Sequence, residues 1–485
     1  MTSDPSPPAS PRPTQLQGRD LRTVLTGVML ALFLAALDQT VIVTALPTIA
    51  EDLGDGAYLS WVVTAYLLTA TATAPLYGKY ADIRGRRVAL FLALGIFTAG
   101  SVACALSPTM LALILARAVQ GLGAGGLMAV PMTIVADAIP ARDRGRYQGY
   151  ITSVYALASL AGPVIGGTLT DFFDWTLIFW INLPLAAITI VVGWPALRRL
   201  PRNERRHSLD GLGAVLLIAA TVAMLLPLTW SGNSRGWLSP TTLMLFAAAA
   251  ALWAGFIIRL RLASEPLVPV TILRNPVVAM GALGAFFSTG TFIALTVVTP
   301  LLFETLRGYS PSQSGLAVIP LMIGAVAGAT VSGHGMYYLA HYKRVAIAGL
   351  GWAMVGSAAM AAAFVDMSGL TLSLALGLVS LGIGTALPVT IVSIQNAVEP
   401  HQMGTATAAS TFFRQFGGAI MAAIFGAILL TEAGQGASIE DLGAHVDDPA
   451  GLIRAFRWIF AIAACTLGLA LISLIRLEER PLRGG

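Results

Sequence analysis

Charged side chains and cysteines are scarce in this chain of 485 residues. Asp, Glu, Lys and Arg together make up 11% of the sequence, whereas 56% of its residues are hydrophobic and its mean hydropathy is +0.77. Soluble domains carry about twice that share of charge, so the composition excludes a soluble globular protein. The two cysteines, Cys104 and Cys465, both fall inside apolar runs, which excludes a disulfide framework. The sequence therefore predicts an all-α protein that crosses a membrane many times.

The sequence also lacks the groups of residues that catalysis or metal binding requires. Its five histidines are scattered, and we find no nucleophile with its base in the pattern of a hydrolase. No set of His, Cys and acidic residues has the spacing of a metal site. We therefore expect a protein that is not an enzyme and that carries no cofactor and no metal.

Apolar runs long enough to cross about 30 Å of hydrocarbon occur fourteen times. They begin near Val24, Tyr58, Val88, Thr109, Tyr147, Leu177, Leu212, Thr241, Val277, Gly315, Val345, Leu370, Thr405 and Ala455. The first run is longer than the apolar core of a signal peptide and lacks a small-residue cleavage site, so we expect it to stay as the first span. Residues 1–21, rich in Pro and Ser, are predicted to form a disordered tail.

Basic residues collect in alternate loops. When successive loops are assigned to opposite sides of the membrane, 23 of the 29 Lys and Arg residues fall on one side, while the other side holds acids such as Glu51, Asp171 and Glu440. By the positive-inside rule, both termini are cytoplasmic. We expect a multi-pass protein of the cytoplasmic membrane, whose basic pI follows from this topology and does not indicate nucleic-acid binding.

A short charged loop, residues 78–87, lies between two apolar runs and has a less complete copy at residues 335–344. A glycine, its neighbouring aromatic residue and a closing basic pair recur at an offset of 257 residues, and the only two lysines, Lys79 and Lys343, lie in these copies. The offset predicts two equivalent six-helix bundles. We place them at residues 22–200 and 276–477, with an inserted two-helix hairpin within 201–275 and a cytoplasmic tail at 478–485. Duplicated halves are the architecture of transporters that rock between two states.

Asp38 and Arg117 are two full charges that stay within the apolar part of the N-terminal spans. Counting from the span ends at 1.5 Å per residue places both roughly 12 to 14 Å deep. A charge there costs about 2.5 to 3.5 kcal/mol, which a nearby partner partly offsets. We therefore expect both to face the bundle interior, either as a fixed structural ion pair or with Asp38 as a proton carrier. The offset maps them to Leu295 and Leu374, so proton coupling is predicted in the N-terminal half.

Glycines are dense in spans four and five, and span five contains Gly162-Pro163-Val164-Ile165-Gly166-Gly167. Small residues let two helix backbones approach closely, and a proline removes one backbone hydrogen bond and bends the helix. We predict a bent fifth span that slides against a neighbour. The alternative is that these glycines serve packing alone.

Aromatic and polar side chains within the spans are candidates for a substrate cavity. The three aromatic residues among them have rings suited to stacking on flat ligands, and their alternative place is the aromatic belt at the membrane interface. Arg414, the third charge within a span, is either a substrate or gating residue or a side chain that snorkels or pairs with carbonyl groups. The predicted cavity consists of Phe33, Gln39, Trp61, Tyr66, Gln120 and Arg414.

Four motifs, taken in chain order, resemble signatures of the major facilitator superfamily. Residues 78–87 resemble its cytoplasmic loop, with Gly78, Asp82, Gly85, Arg86 and Arg87 at the signature positions. Arg117-x-x-Gln120-Gly121-x-Gly123 is similar to its span-four motif, and Gly162-Pro163-x-x-Gly166-Gly167 to the span-five motif of its antiporters. Residues 37–47 resemble the first-span signature of the drug:proton antiporters with 14 spans. The match runs over essentially the whole chain.

The resemblance implies proton-driven export of amphipathic compounds, often cationic and aromatic, by a protein that works as a monomer with protons and a small-molecule substrate as its partners. It assigns proton coupling to Asp38 and Arg117, gating to the loop with Asp82 and Arg86, and the antiport movement to the glycines of span five. Three positions depart from the family pattern: Val43 replaces Asn or Ser, Thr176 replaces Arg, and Glu304 replaces Gln. The alternative function on the same fold is a dedicated exporter of one endogenous product, such as an antibiotic, siderophore or lipid.

Overall fold

The computed structural model describes residues 18–54, 58–197, 209–230, 239–339, 341–432 and 449–482. In this part of the chain the secondary structure consists of α-helices and short 3₁₀ turns. The helices are α1 (Gly18–Leu53), α2 (Leu59–Arg84), α3 (Arg86–Ala105), α4 (Met110–Ala138), α5 (Ala141–Phe172), α6 (Leu177–Trp180), α7 (Asn182–Leu197), α8 (Gly211–Trp230), α9 (Pro240–Leu262), α10 (Val270–Arg274), α11 (Pro276–Arg307), α12 (Pro311–Tyr338), α13 (Lys343–Ala363), α14 (Gly369–Ala397), α15 (Met403–Glu432) and α16 (Pro449–Arg476).

The predicted spans all coincide with helices. Within the described ranges, thirteen segments, with α6 and α7 counted as one, are long and apolar enough to cross a membrane. The fourteenth is α2, whose 26 residues extend about 39 Å at 1.5 Å per residue. The predicted all-α fold with many membrane spans is therefore confirmed. Because α1 begins at Gly18, residues 18–21 are helical and do not belong to a disordered tail, and residues 1–17 lie outside the described residues.

Polar residues just before the helices explain where several of them begin. The Thr109 hydroxyl accepts a hydrogen bond of 3.2 Å from the backbone N–H of Ala112 at the start of α4. Ser310 and Gln313 form a reciprocal capping box at the start of α12. Such caps satisfy N–H groups that the first helical turn leaves without partners. Gly308 ends α11 in the left-handed conformation, with φ of 65°, which costs glycine little.

Buried apolar side chains form separate clusters in the two parts of the chain. One large cluster joins α1 to α5 with α7, and another joins α11 to α16. Between these two parts, α2 packs against α15 and α5 packs against α12, while α8 packs against α9 and also contacts α2 and α15. The helices α8 and α9 therefore lie beside one junction of the two parts. The residue boundaries given above for the bundles and the hairpin stay predictions.

The offset of 257 residues does not hold along the whole repeat. Helices α4 and α14 both have 29 residues, but α14 begins at Gly369, about two residues later than that offset would place it. Aligning the helix starts puts Arg117 opposite Leu376, which is 1% exposed, and not opposite Leu374, which is 52% exposed. Since both leucines are apolar, the second part of the chain still has no counterpart of the Arg117 charge.

Candidate functional site

Asp38 and Arg117 form an ion pair inside the first group of helices. The Arg117 Nη1 donates to Asp38 Oδ2 at 2.7 Å. The two residues are 1% and 0% exposed, so neither charge reaches solvent or lipid. The structure thus brings together the two residues that their common depth had selected. Direct pairing offsets the cost that each charge would otherwise carry in an apolar region.

Two amides complete the surroundings of the Asp38 carboxylate. Gln120 Nε2 and Asn182 Nδ2 each donate to Asp38 Oδ1 at 2.7 Å. Asn182 Nδ2 also donates to Ser101 Oγ at 2.9 Å, and that hydroxyl donates to the Phe179 carbonyl at 2.8 Å. Asp38 therefore receives donors from α4 and α7, the arrangement that suits an ionised carboxylate, which only accepts hydrogen bonds. We call Asp38, Arg117, Gln120, Asn182 and Ser101 the carboxylate network.

Sequence reasoning missed Asn182 and Ser101. Asn182 is the one strongly polar side chain in the apolar run from 177 to 197, and a lone amide at that position was the available signal. In the structure it is 0% exposed, and its Oδ1 has no hydrogen-bond partner in the described part of the chain. Burying an amide without full satisfaction is unfavourable, so its place beside Asp38 fits a functional role better than a packing role.

The Arg117 guanidinium is held in one orientation by three further contacts. Its Nε donates to the Val62 carbonyl at 3.2 Å, and its Nη1 also donates to Gln120 Oε1 at 2.8 Å. Its Cζ lies 4.2 Å from the centroid of the Tyr66 ring, within the range of a cation–π interaction. The Tyr66 hydroxyl donates to the Ala35 carbonyl at 3.2 Å. Tyr66 therefore belongs to the support of the carboxylate network and not to a cavity wall.

A second acidic residue, Asp82, joins the two parts of the chain at the side where α1 begins and α16 ends, which we call the termini side. Asp82 Oδ1 accepts from Gly404 N at 3.0 Å, and Asp82 Oδ2 accepts from both the N–H and the Oγ1 of Thr405 at 2.7 Å. These donors lie in the first turn of α15, where the helix presents free N–H groups and the positive end of its dipole. Asp82 thus holds the start of α15 against the end of α2.

Arg86 keeps the Asp82 side chain in place. Its Nη1 donates to Asp82 Oδ1 at 2.5 Å, and its Nε donates to Asp137 Oδ2 at 2.8 Å. Gly85 turns the chain between α2 and α3 with φ of 92°, a conformation that favours glycine. Arg87, which the loop motif groups with Arg86, points elsewhere: its Cζ lies 4.2 Å from the centroid of a Trp194 ring. The loop therefore divides its basic residues between the junction and the packing of α3 on α7.

Glycine pairs bring the helices into backbone contact at both junctions on the termini side. A Cβ atom at Gly78 would collide with the Ala408 side chain and the Gly404 carbonyl. At the other junction, a Cβ atom at Gly333 of α12 would collide with the carbonyl of Gly145 on α5. Both junctions are therefore closed by helix pairs that approach too closely for any larger residue.

The three glycines of the span-five motif in α5 have two different surroundings. A Cβ atom at Gly162 would collide with Thr40 Oγ1, and one at Gly166 would collide with the Val41 carbonyl, so both glycines allow close contact with α1. Gly167 has no atom within 4 Å of the place where its Cβ would stand. Pro163 lies inside α5, which runs as one helix from Ala141 to Phe172. The predicted movement of this helix stays a prediction.

A cavity of about 620 Å³ lies between the two parts of the chain, with walls from α1, α2, α5, α8, α11, α12, α14 and α15. Of the predicted cavity residues, Gln39 and Arg414 line it, whereas Tyr66 and Gln120 are buried in the carboxylate network. Two other predicted residues are also not among its lining: Phe33 packs in an apolar cluster with Leu37 and Ala158, and Trp61 lies two residues before Val63, the first lining residue of α2.

Residues from the second part of the chain supply much of the lining that sequence reasoning missed. They include Thr289 and Phe292 on α11 and Gln415 on α15, and Tyr155 of α5 faces them from the first part. The repeat pattern identifies these helices but not the face of each that turns toward the cavity. Arg414 is the charged residue of this lining, and its Nε is buried without a hydrogen-bond partner in the described residues.

Comparison with known proteins agrees with this architecture. A model of the major facilitator superfamily matches residues 28–422. The chain belongs to the major facilitator superfamily. It is 33% identical over 417 residues to the multidrug transporter protein MdtP of Bacillus subtilis (strain 168), a match that covers 85% of this chain and 76% of that protein. It is 30% identical over 407 residues to multidrug resistance protein 3 of the same organism, covering 84% of this chain and 79% of that protein.

A solved structure of the same superfamily has the same fold. The proton:xylose symporter XylE, bound to 6-bromo-6-deoxy-D-glucose, superposes with a TM-score of 0.61 over 93% of this chain and 94% of that chain, at 16% sequence identity. At that identity the likeness shows the fold alone. Membership in the major facilitator superfamily makes this protein a membrane transporter of small molecules, which confirms the prediction that it is not an enzyme.

Proposed function

We propose that this transporter exports amphipathic drugs from the cell in exchange for protons. The relatives named for multidrug transport and multidrug resistance support the drug-export part of the proposal. The single observation that carries the proton part is the buried carboxylate of Asp38, tied by hydrogen bonds to three side chains from two other helices. An ionisable group inside a membrane bundle is a functional candidate by default.

Protonation of Asp38 would weaken the contacts that hold α1 against α4 and α7. A neutral carboxyl group attracts Arg117 less than a carboxylate does, and its own proton would face one of the amide donors. Two neighbouring residues on α1 connect this change to the transport path. Gln39 lines the cavity, and Thr40 Oγ1 donates to the Ala158 carbonyl of α5 at 3.0 Å. Loading and release of a proton would therefore alter both the cavity wall and the packing of α1 on α5.

The junctions described above would serve as the gate. Asp82, Gly78 and Gly333 all join the two parts on the termini side, while the cavity lies between the same parts and includes residues nearer the opposite side, such as Val63 and Ala427. With the termini in the cytoplasm, as the distribution of basic residues predicts, this is an outward-facing conformation of a monomer in the cytoplasmic membrane. Breaking the Asp82 contacts would then begin the change to the inward-facing state.

The test is proton-driven transport by Asp38→Asn in proteoliposomes. We would measure uptake of three fluorescent amphiphiles under an imposed pH gradient: cationic ethidium, uncharged phenylnaphthylamine and anionic anilinonaphthalenesulfonate. Asp38→Asn should bind its substrates and lose at least nine-tenths of the gradient-driven component, because the amide cannot carry the proton.

A matched control for this variant is Asp210→Asn. Asp210 is also buried, and it pairs with Arg259 through Oδ1 at 3.0 Å, but it lies in the pair formed by α8 and α9. That variant should keep gradient-driven transport. Full gradient-driven transport by Asp38→Asn would remove Asp38 from the proton path.

The second candidate function is a dedicated exporter of one endogenous product. The relatives' names and the large, mostly apolar cavity favour transport of many different substrates over transport of one. Transport of several unrelated amphiphiles in the same proteoliposomes would support multidrug export, and transport of none of them would favour the dedicated exporter.

A further inference from the structure

The cavity between the two parts of the chain carries a positive charge in its wall. Among the residues that line it in the described part of the chain, Arg414 is the only one with a formal charge, and no Asp or Glu is present. The Asp38 carboxylate is close along α1 to the lining residue Gln39, but it is 1% exposed and is turned into the carboxylate network. A substrate in this cavity therefore meets a guanidinium and no carboxylate.

Arg414 differs from Arg86 and Arg117 in having no carboxylate partner among the described residues. Arg117 pairs with Asp38, and Arg86 pairs with Asp82 and Asp137. Arg414 is partly buried, no carboxylate of the described residues lies within ion-pair distance of it, and its Nε is buried without a hydrogen-bond partner. The snorkelling and carbonyl-pairing alternatives leave this donor unexplained. A guanidinium that has a buried, unpartnered N–H and no counter-charge is unfavourable by itself, and an anionic ligand would supply the missing partner.

We infer that Arg414 is the anion-binding residue of the cavity and that the preferred substrates are amphipathic anions, with a carboxylate, sulfonate or phosphate group on an apolar or aromatic body. This inference rests on the proposed export function and specifies its substrate class. It differs from the cationic compounds that the family resemblance led us to expect.

The chemistry of the cavity matches such a substrate at both ends. A guanidinium presents a planar fork of N–H donors that fits the paired oxygens of these anions. Tyr155 and Gln415 line the same cavity and supply further hydrogen-bonding groups. Leu67, Leu225 and Phe292 provide apolar wall for the body of the ligand. Exclusion of water strengthens the attraction between opposite charges.

A cation would find no carboxylate among the described residues that line the cavity. It would lose its hydration shell on entry and would meet the like charge of Arg414, and like charges brought together across a binding surface disfavour binding. An uncharged amphiphile would lose only the guanidinium contact and keep the apolar contacts. The predicted order of affinity is therefore anion, then uncharged analogue, then cation.

The experiment measures binding to the purified full-length protein in detergent by isothermal titration calorimetry. Anilinonaphthalenesulfonate and phenylnaphthylamine share an aromatic skeleton and differ in the sulfonate, and ethidium serves as the cation. Wild-type protein should bind the sulfonate at least tenfold more tightly than the uncharged analogue. Arg414→Gln should bring that ratio close to one without changing the affinity for phenylnaphthylamine, and Arg414→Lys should keep part of the preference.

The control is Arg261→Gln, which removes the same charge from an exposed position in the last turn of α9. It should keep the wild-type ratio. The inference is overturned if wild-type protein binds ethidium as tightly as the sulfonate, or if Arg414→Gln and Arg261→Gln have the same ratio. The wild-type comparison decides this even if the Arg414 variants do not fold. Failure of the proposed function is a separate result, since it would be a lack of gradient-driven transport of every probe, whatever their order of affinity.

Discussion

Asp82→Asn is the substitution that most directly tests the gate. The asparagine has nearly the same shape as the aspartate but carries no charge. Its one carbonyl oxygen cannot replace both carboxylate oxygens, which together accept from Gly404 N, Thr405 N and Thr405 Oγ1 at 2.7 to 3.0 Å. Its NH₂ group would face an N–H donor of α15, and two donors do not bond to each other.

The size of the effect follows from these contacts. Loss of one hydrogen bond between a buried backbone N–H and a charged acceptor costs about 1.5 to 3 kcal/mol, and loss of the negative charge at the start of α15 adds about 0.3 to 1 kcal/mol. Arg86 keeps its bond to Asp137, so its charge is not left alone. The total is about 2 to 4 kcal/mol. At 1.4 kcal/mol per tenfold change, the equilibrium constant for the conformation closed on the termini side should fall by about 30-fold to 1,000-fold.

The assay is a distance measurement between spin labels on the termini side. Cysteines replacing Arg84 and Glu399, both exposed and on opposite parts of the chain, would carry the labels in a background in which the exposed Cys465 is serine. Wild-type protein should give mainly one short distance by double electron–electron resonance. Asp82→Asn should add a population at longer distance.

Asp143→Asn provides the control, because Asp143 is an acidic residue in the first turn of α5 on the same side. It should leave the distance distribution unchanged. If Asp82→Asn also leaves the distribution unchanged while transport falls, the Asp82 contacts do not set the conformational equilibrium and the gating role is lost.

Two further predictions concern α1 and its neighbours. Arg117→Lys should lower the rate of gradient-driven transport at least tenfold, since one ammonium group cannot both bond to Asp38 and reach the Val62 carbonyl; an unchanged rate in proteoliposomes would reduce Arg117 to a simple counter-charge. Gly162→Ala should lower the melting temperature and the transport rate, because its Cβ would collide with Thr40 and overpacking costs about 1 to 3 kcal/mol. Gly167→Ala, with open space at the same atom, should keep both, and equal loss in the two variants would argue against the α1–α5 contact.

Some features of the carboxylate network were predictable from the amino-acid sequence. A charge within an apolar span must find a partner, so the common depth of Asp38 and Arg117 was enough to predict that they meet, and they do. Depth in the membrane does not identify the partners of uncharged residues. An amide or a hydroxyl can bond to many neighbouring groups, so the positions of Asn182 and Ser101 in their spans do not specify a partner. Only the packing of α3 and α7 on α1 brings them to the carboxylate.

The cavity was less predictable than the network. An aromatic or amide residue in a helix is compatible with a cavity wall, a packed interior or the lipid surface, and helical periodicity does not choose among them. This is why Gln39 and Gln120 were grouped together although one lines the cavity and the other bonds to Asp38. The same limit applies to Arg87, whose neighbour Arg86 lies at the junction while Arg87 packs on Trp194.

The sequence by itself determined the class of this protein, because the cost of exposing backbone and charge to lipid leaves only helical spans with few charges, and because the family motifs are continuous stretches of chain. The tertiary structure alone decided which faces of those spans meet. It put Asp82 at the start of α15, enclosed Asp38 and left Arg414 as the charge of the cavity, since contacts between residues far apart in the chain depend on how whole helices pack.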